Sequence, residues 1–259
     1  ISLSKEQPYN HNDQAYPPKR RKLKVVSWNS HNKIDAWNYL FDEFNPDIGL
    51  LQESPQLPSD YDTNLIISKL VKQNLRNTIY TGNLKQQLIE IDEQYEIGLL
   101  SSRVTVKEDL EISLISIYGN LSFTGILDQK IIESVGIYLE TIRKDNSDAN
   151  IIIAGDFNMD RRMDENPTKT RFSKKGERVH NEIFDSIINF GFSDCVRKFH
   201  PDFIQTYRHY RNRENYPWEL DHMFATKKLY DSLQRIEVHF NDTIEKVSDH
   251  NPIVAEFNL

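Results

Sequence analysis

From Leu23 onward, apolar residues gather in short runs separated by polar stretches. Leu23–Trp28, Ile48–Gln52, Ile97–Leu100, Ile112–Ile117, Ile151–Ala154, Leu220–Ala225, Ile236–Phe240 and Ile253–Phe257 are rich in Val and Ile and too short for stable helices, so they predict strands. Several are apolar at nearly every position, as strands covered on both faces are. Between them, Ile34–Phe44, Asn64–Leu75, Ile126–Arg143 and Arg178–Phe190 predict helices. In the third, Ile131, Val135, Tyr138, Leu139 and Ile142 recur at helical spacing. In the fourth, Val179, Ile183 and Ile187 do the same, and Gly191 is a natural stop. The alternation continues without an internal linker, predicting one α/β domain over residues 23–259. Residues 1–22 are polar, end in Lys19-Arg20-Arg21-Lys22, and read as a flexible N-terminal arm.

Composition narrows the function classes. A chain of 259 residues can bury a sizeable core without staples, and its single cysteine, Cys195, excludes an internal disulfide. No apolar run approaches the roughly 20 residues of a membrane span, and the start shows no signal-peptide pattern. The expectation is a soluble protein, with a cytoplasmic setting favoured. The net charge of −7 argues against a module that holds nucleic acid by overall charge. Basic charge is nevertheless concentrated. Asp160–Arg178 holds seven Lys/Arg against four Asp/Glu, and Tyr207–Arg213 reads Tyr-Arg-His-Tyr-Arg-Asn-Arg. Arginine interleaved with tyrosine suits phosphate contact and base stacking, which makes Arg208 and Arg211 substrate-binding candidates; the plain alternative is two solvated surface loops.

The polar residues that end the apolar runs carry the chemistry. Ser27-Trp28 leads into Asn29, Leu51-Gln52 into Glu53, and Ile117 into Tyr118, with Asn120 one step beyond Gly119. Ile151 to Gly155 leads into Asp156-Phe157-Asn158, while Leu220-Asp221-His222 opens one strand and Ser248-Asp249-His250 precedes another. A carboxylate inside a sheet is costly unless paired or bound to metal, whereas at a strand end it reaches a cleft. Six chain-distant polar groups at such ends point to one shared site. Taken singly, each also has an ordinary reading, Asn29 as a turn former and Asp221 as a cap among them.

Taken in order, Ser27-Trp28-Asn29, Leu51-Gln52-Glu53, Gly155-Asp156-Phe157-Asn158, Leu220-Asp221-His222 and Ser248-Asp249-His250 resemble the motifs of the endonuclease/exonuclease/phosphatase superfamily. That group includes exonuclease III-like endonucleases for abasic (AP) sites, DNase I, a toxin nuclease subunit, sphingomyelinases and inositol polyphosphate 5-phosphatases. The resemblance implies a four-layer α/β sandwich of two packed mixed sheets flanked by helices, and phosphoester hydrolysis dependent on Mg²⁺ or Mn²⁺. It implies that Asp156 deprotonates the attacking water, with Asn158 bonded to the water or to a phosphoryl oxygen. Glu53 and Asp249 would hold the metal, with Asn29 adjacent. His250 would donate to phosphate, kept cationic by Asp221, and Tyr118 and Asn120 would contact it. Oxygen donors of this kind match a hard cation, and no Cys/His cluster indicates zinc.

Three departures set the chain apart from AP endonucleases. His31 stands where they usually carry Asp, their Tyr-x-Pro-Asn segment is shortened to Tyr118-Gly119-Asn120, and Glu219 replaces the Arg that commonly precedes Leu-Asp. The reading is a nuclease acting on nucleic acid, DNA first. The alternatives are a phosphatase or phosphodiesterase for a small phosphoester or lipid headgroup, and a catalytically inactive binding protein of the same fold.

Overall fold

The computed structural model describes residues 21–57, 66–72, 74–92, 98–119, 126–162, 179–208 and 217–259. Most of the predicted arm, the larger parts of both basic segments, and the candidates Asn120 and Arg211 lie outside them.

Among the described residues, fourteen strands form two six-stranded mixed sheets and a small hairpin. The first sheet has the order β13 (Leu233–Val238), β14 (Ile253–Asn258), β1 (Lys22–Asn29), β2 (Ile48–Ser54), β4 (Leu75–Tyr80), β3 (Ile66–Lys72). The second runs β5 (Lys85–Leu88), β6 (Leu99–Lys107), β7 (Leu110–Tyr118), β8 (Asn150–Asp156), β12 (Asp221–Thr226), β9 (Phe192–Asp194). β10 (Tyr207–Arg208) and β11 (Pro217–Trp218) pair separately.

Strand alternation explains the layers. Successive residues face opposite sides of a sheet. Val25, Leu50, Ile152, Ala154, Leu114, Met223 and Ala255 therefore meet in a core between the sheets. Their neighbours Ile151, Ile153, Ile115, Ile117 and Phe224 face outward, against α2 (Ile126–Asp145) and α3 (Val179–Asn189), through Ile131, Val135, Tyr138, Ile183 and Ile187. On the far side, Val26, Trp28, Leu51 and Val254 pack on α1 (Asp35–Tyr39), its π-helical continuation Leu40–Phe44, and α5 (Asp242–Val247). A further short helix, α4 (Lys227–Ser232), follows β12. The result is the four-layer α/β sandwich, with apolar strands covered on both faces as their composition requires. No helix among the described residues is long and apolar enough to cross a membrane.

One element differs from expectation. Among the described residues of Asn64–Leu75 there is no helix: Ile66–Lys72 is strand β3, paired antiparallel with β4. Ile66, Ile67, Leu70 and Val71 mimic a helical stripe, but β3 is an edge strand, so its outer face is not held to strict alternation and Leu70 is exposed. β-Branched composition and pairing to β4 decide the outcome over local spacing.

Candidate active site

Strand direction builds one shared rim. β1 and β2 run parallel, as do β7 and β8, while β12 runs antiparallel to β8 and β14 antiparallel to β1. The C-terminal ends of β1, β2, β7 and β8 thus lie beside the starts of β12 and β14. Register does the rest in the second sheet, where Asp156 is paired with Tyr118 on one side and Asp221 on the other.

Three side-chain hydrogen bonds then join the two halves, two from sheet to sheet and the third from β12 to the segment that precedes β14. Asn29 Nδ2 donates to Asp156 Oδ2 at 2.9 Å, Tyr118 OH donates to Glu53 Oε1 at 2.6 Å, and His250 Nδ1 lies 2.8 Å from Asp221 Oδ2. Asn29, Glu53, Tyr118, Asp156, Asp221 and His250, from six separate segments, are therefore one constellation, and Asp249 and Asn158 adjoin it. Asn158 donates its backbone N–H to Asp156 Oδ1 at 2.9 Å and its amide to Gly119 O at 2.8 Å.

The backbone is strained at two of these positions. Glu53 and Asn158 have φ of +46° and +54°. Asparagine tolerates this region, but for glutamate it is costly, about 1–3 kcal/mol where a residue is held off its preferred conformation. At Glu53 the β2–β4 register shifts between Leu51 and Ser54, an irregularity of the kind that re-aims a side chain.

Electrostatics divide the site in two. Asp156 and Asp221 are fully buried, at 1% and 0% exposure. His250 Nε2 lies 3.8 Å from Asp156 Oδ2. Burial opposes a charge on His250, but Asp221 and Asp156 overcome it and raise the ring well above its ordinary value. Asp156 is also raised, by burial first, with the His250 cation opposing. Glu53 and Asp249, with side chains 19% and 18% exposed, line the open half. Burial pushes Asp249 up, yet His31 and His250 hold it below the usual carboxylate range.

Two positions could receive a cation. Asp156, Asp221 and His250 bring one ligand atom each within 4.8 Å of one another and could hold a metal ion. There, however, Asp221 Oδ2 faces His250 Nδ1 and Asp156 Oδ2 accepts from Asn29. At the open half, Asp249 Oδ1 is buried with no aligned hydrogen bond among the described residues. Asp249 Oδ1 has the half-exposed His31 Nδ1 beside it at 3.2 Å, and the two part-exposed carboxylates offer the oxygen donors a hard divalent cation takes, whereas the buried trio is closed to solvent. Asn29 Oδ1 accepts the His31 N–H at 3.0 Å, so its amide bridges the two halves.

Sequence reasoning missed several residues that shape the site. Ser248 Oγ donates to Asn29 O at 2.7 Å and accepts from His250 N at 3.0 Å. Trp28 Nε1 donates to His250 O, Thr206 Oγ1 accepts from the N–H groups of Leu220 and Asp221, and the Tyr207 ring lies 4.8 Å from that of His250. Hydroxyl residues are too common for such roles to show in one sequence; Ser248 and Trp28 stood out only as motif neighbours. Arg208, expected as a substrate contact, is buried, with its guanidinium on Ser248 O at 2.8 Å and on Asn251 Oδ1. Arg161 and Arg162 are similarly tied, to Asp185 and Asp160.

The fold has relatives among solved structures. An AP endonuclease from Leishmania major superposes with a TM-score of 0.71 at 17% identity, covering 96% of this chain and 91% of that one. A 3′ phosphatase from Neisseria bound to a product DNA hairpin gives 0.69 at 17%, covering 92% and 100%. An AP endonuclease from Archaeoglobus fulgidus gives 0.66 at 19%, covering 92% and 100%. No curated protein sequence matches the chain. The sequence does match the endonuclease/exonuclease/phosphatase family over residues 26–250, the span that contains every member of the constellation, and the chain belongs to that family.

Proposed function

We propose that this protein is a divalent-metal-dependent phosphodiester hydrolase acting on DNA. The observation that carries the reading is the buried carboxylate Asp156 set 3.8 Å from a histidine whose other nitrogen is held by Asp221. Asp156 is the base that takes the proton of the attacking water, and its raised pKa brings it towards the range where a general base works best. His250, kept cationic, donates from Nε2 to a phosphoryl oxygen. Asn29 and Asn158 fix the Asp156 carboxylate, and Tyr118 fixes Glu53. Mg²⁺ or Mn²⁺ held by Glu53 and Asp249, with Asn29 adjacent, would neutralise phosphate charge and stabilise the leaving oxygen.

Two features favour DNA over a small phosphoester. The structural relatives named above include AP endonucleases and a phosphatase holding a DNA product. A cavity of about 190 Å³ adjoins Asp249, and its lining sets Lys33, Arg208 and Lys246 against Glu245 and Asp249, leaving a small excess of basic charge beside the reaction centre.

The test is hydrolysis of labelled single- and double-stranded DNA, RNA and a panel of phosphomonoesters, with Mg²⁺, Mn²⁺ or EDTA, beside Asp156→Ala. Metal-dependent DNA cleavage that disappears in the variant is the expected result. Turnover of small phosphoesters alone would move the protein to the phosphatase branch, and DNA binding without turnover would make it a binding protein.

A further inference from the structure

The loop after β1 is strapped to the end of β2. Ser30 N donates to Gln52 O at 2.8 Å and Asn32 N to Glu53 O at 2.7 Å, while the N–H of His31 is held by Asn29 Oδ1. His31 and Asn32 both sit at positive φ, +50° and +53°. This turn carries the His31 ring to the two carboxylates of the open half. Its Nδ1 is 3.2 Å from Asp249 Oδ1 and 3.9 Å from Glu53 Oε2. The side chain is 51% exposed, so an ion arriving from solvent meets it directly.

We propose that His31 is a nitrogen ligand of the divalent ion at the Glu53–Asp249 position, giving this site a preference for Mn²⁺ or Co²⁺ over Mg²⁺. The inference rests on the reading that this half of the site holds the ion. Two carboxylates alone form an all-oxygen set, which Mg²⁺ accepts. An imidazole added to them favours first-row transition ions over Mg²⁺, because they take nitrogen more readily, Co²⁺ more so than Mn²⁺. Asn29 and the paired backbone amides fix the turn, so the ring is positioned before the ion binds.

The experiment is Mn²⁺ binding to the whole protein, read by electron spin-echo envelope modulation, which detects a directly coordinated ¹⁴N, together with calorimetric affinities for Mn²⁺ and Mg²⁺. Wild type, His31→Gln, His31→Asp and His250→Gln are compared, each first shown to unfold cooperatively. The expected result is a ¹⁴N coupling in wild type and His250→Gln that is absent from both His31 variants. In His31→Asp the ratio of Mn²⁺ to Mg²⁺ affinity should fall by about tenfold or more, the scale on which even outer partners of metal ligands act. Bound Mn²⁺ without ¹⁴N coupling, or coupling that survives in His31→Gln, overturns the role of His31 and leaves the hydrolase reading intact. Coupling lost only in His250→Gln places the ion on Asp156, Asp221 and His250, and likewise overturns the role of His31. Failure of wild type to bind either ion overturns the proposal and the metal-dependent reading together.

Discussion

His250 and Asp221 form a buried pair, Nδ1 to Oδ2 at 2.8 Å, and the second oxygen of that carboxylate finds no hydrogen bond among the described residues. The ring pKa is raised from 6.5 to about 10 against the effect of burial, through Asp221 and Asp156. Asp221→Asn removes the larger of these attractions, so the ring should lose its proton at lower pH. Turnover should fall by roughly 10²-fold, and the alkaline limb of the kcat/KM profile should move towards neutrality. Stability follows the same sign. A folded-state pKa above the unfolded value stabilises fully below about 6.5, and that contribution is lost as pH rises through about 10. Denaturant titrations between pH 7 and 10 should therefore show a steeper loss in wild type than in Asp221→Asn. An unchanged alkaline limb would separate His250 from the rate.

Arg208 separates two roles by kinetics. Its guanidinium bonds Ser248 O and Asn251 Oδ1, and its backbone N–H donates to Asp249 O at 2.7 Å, so it braces the segment that carries Asp249 and His250. Arg208→Met should cost about 1.5–3 kcal/mol, the range for hydrogen bonds to a charged group, and should lower kcat by displacing that segment. Denaturation and steady-state kinetics give both readouts. A rise in KM alone, with stability unchanged, would instead make Arg208 a substrate contact.

Tyr118 holds Glu53 by a short charge-assisted bond, and burial followed by Glu53 raises its pKa, so the hydroxyl stays protonated across the working range. Tyr118→Phe should weaken metal affinity by about tenfold, seen as a higher activating concentration of Mg²⁺ or Mn²⁺. The fold should lose only about 1 kcal/mol. An activation curve that superposes on wild type would show that Glu53 needs no such partner.

What the sequence makes legible follows from how each residue is held. Val25–Val26 and Ile152–Ile153 are buried on opposite faces, so their apolar runs announce central strands directly. Asn29, Glu53, Tyr118, Asp156, Asp221 and His250 break those runs at their ends, and a polar residue closing a buried strand is visible in one sequence. β3 was hidden because an edge strand leaves Leu70 in solvent and need not alternate, and β4, an inner strand, because it buries the polar residues Asn77 and Thr78. Arg208 is harder to read for a related reason: a basic run in the sequence does not distinguish a guanidinium free to face substrate from one that also braces Ser248 O. His31 stood out only as a departure from a motif; its place between Asp249 and Glu53 depends on the turn at positive φ, which no spacing rule encodes.

The approach of β8 to β7 depends on a missing side chain. Gly155, beside Asp156, has φ of +149°, and a Cβ there would lie 1.9 Å from the backbone oxygen of Ile117. Backbone on a paired strand cannot yield as a side-chain tip can, so Gly155→Ala must push β7 and β8 apart where Tyr118 and Asp156 are in register. The loss should exceed about 3 kcal/mol and take activity with it. Gly136, within α2, is the matched control, since a Cβ there meets only the far end of the Phe190 ring, at 3.9 Å. Gly136→Ala should raise stability by about 0.5–1 kcal/mol through the helix alone. Thermal unfolding of the two variants reads both signs at once, and a Gly155→Ala protein as stable as wild type would mean that the β7–β8 contact relaxes far more easily than paired backbone should.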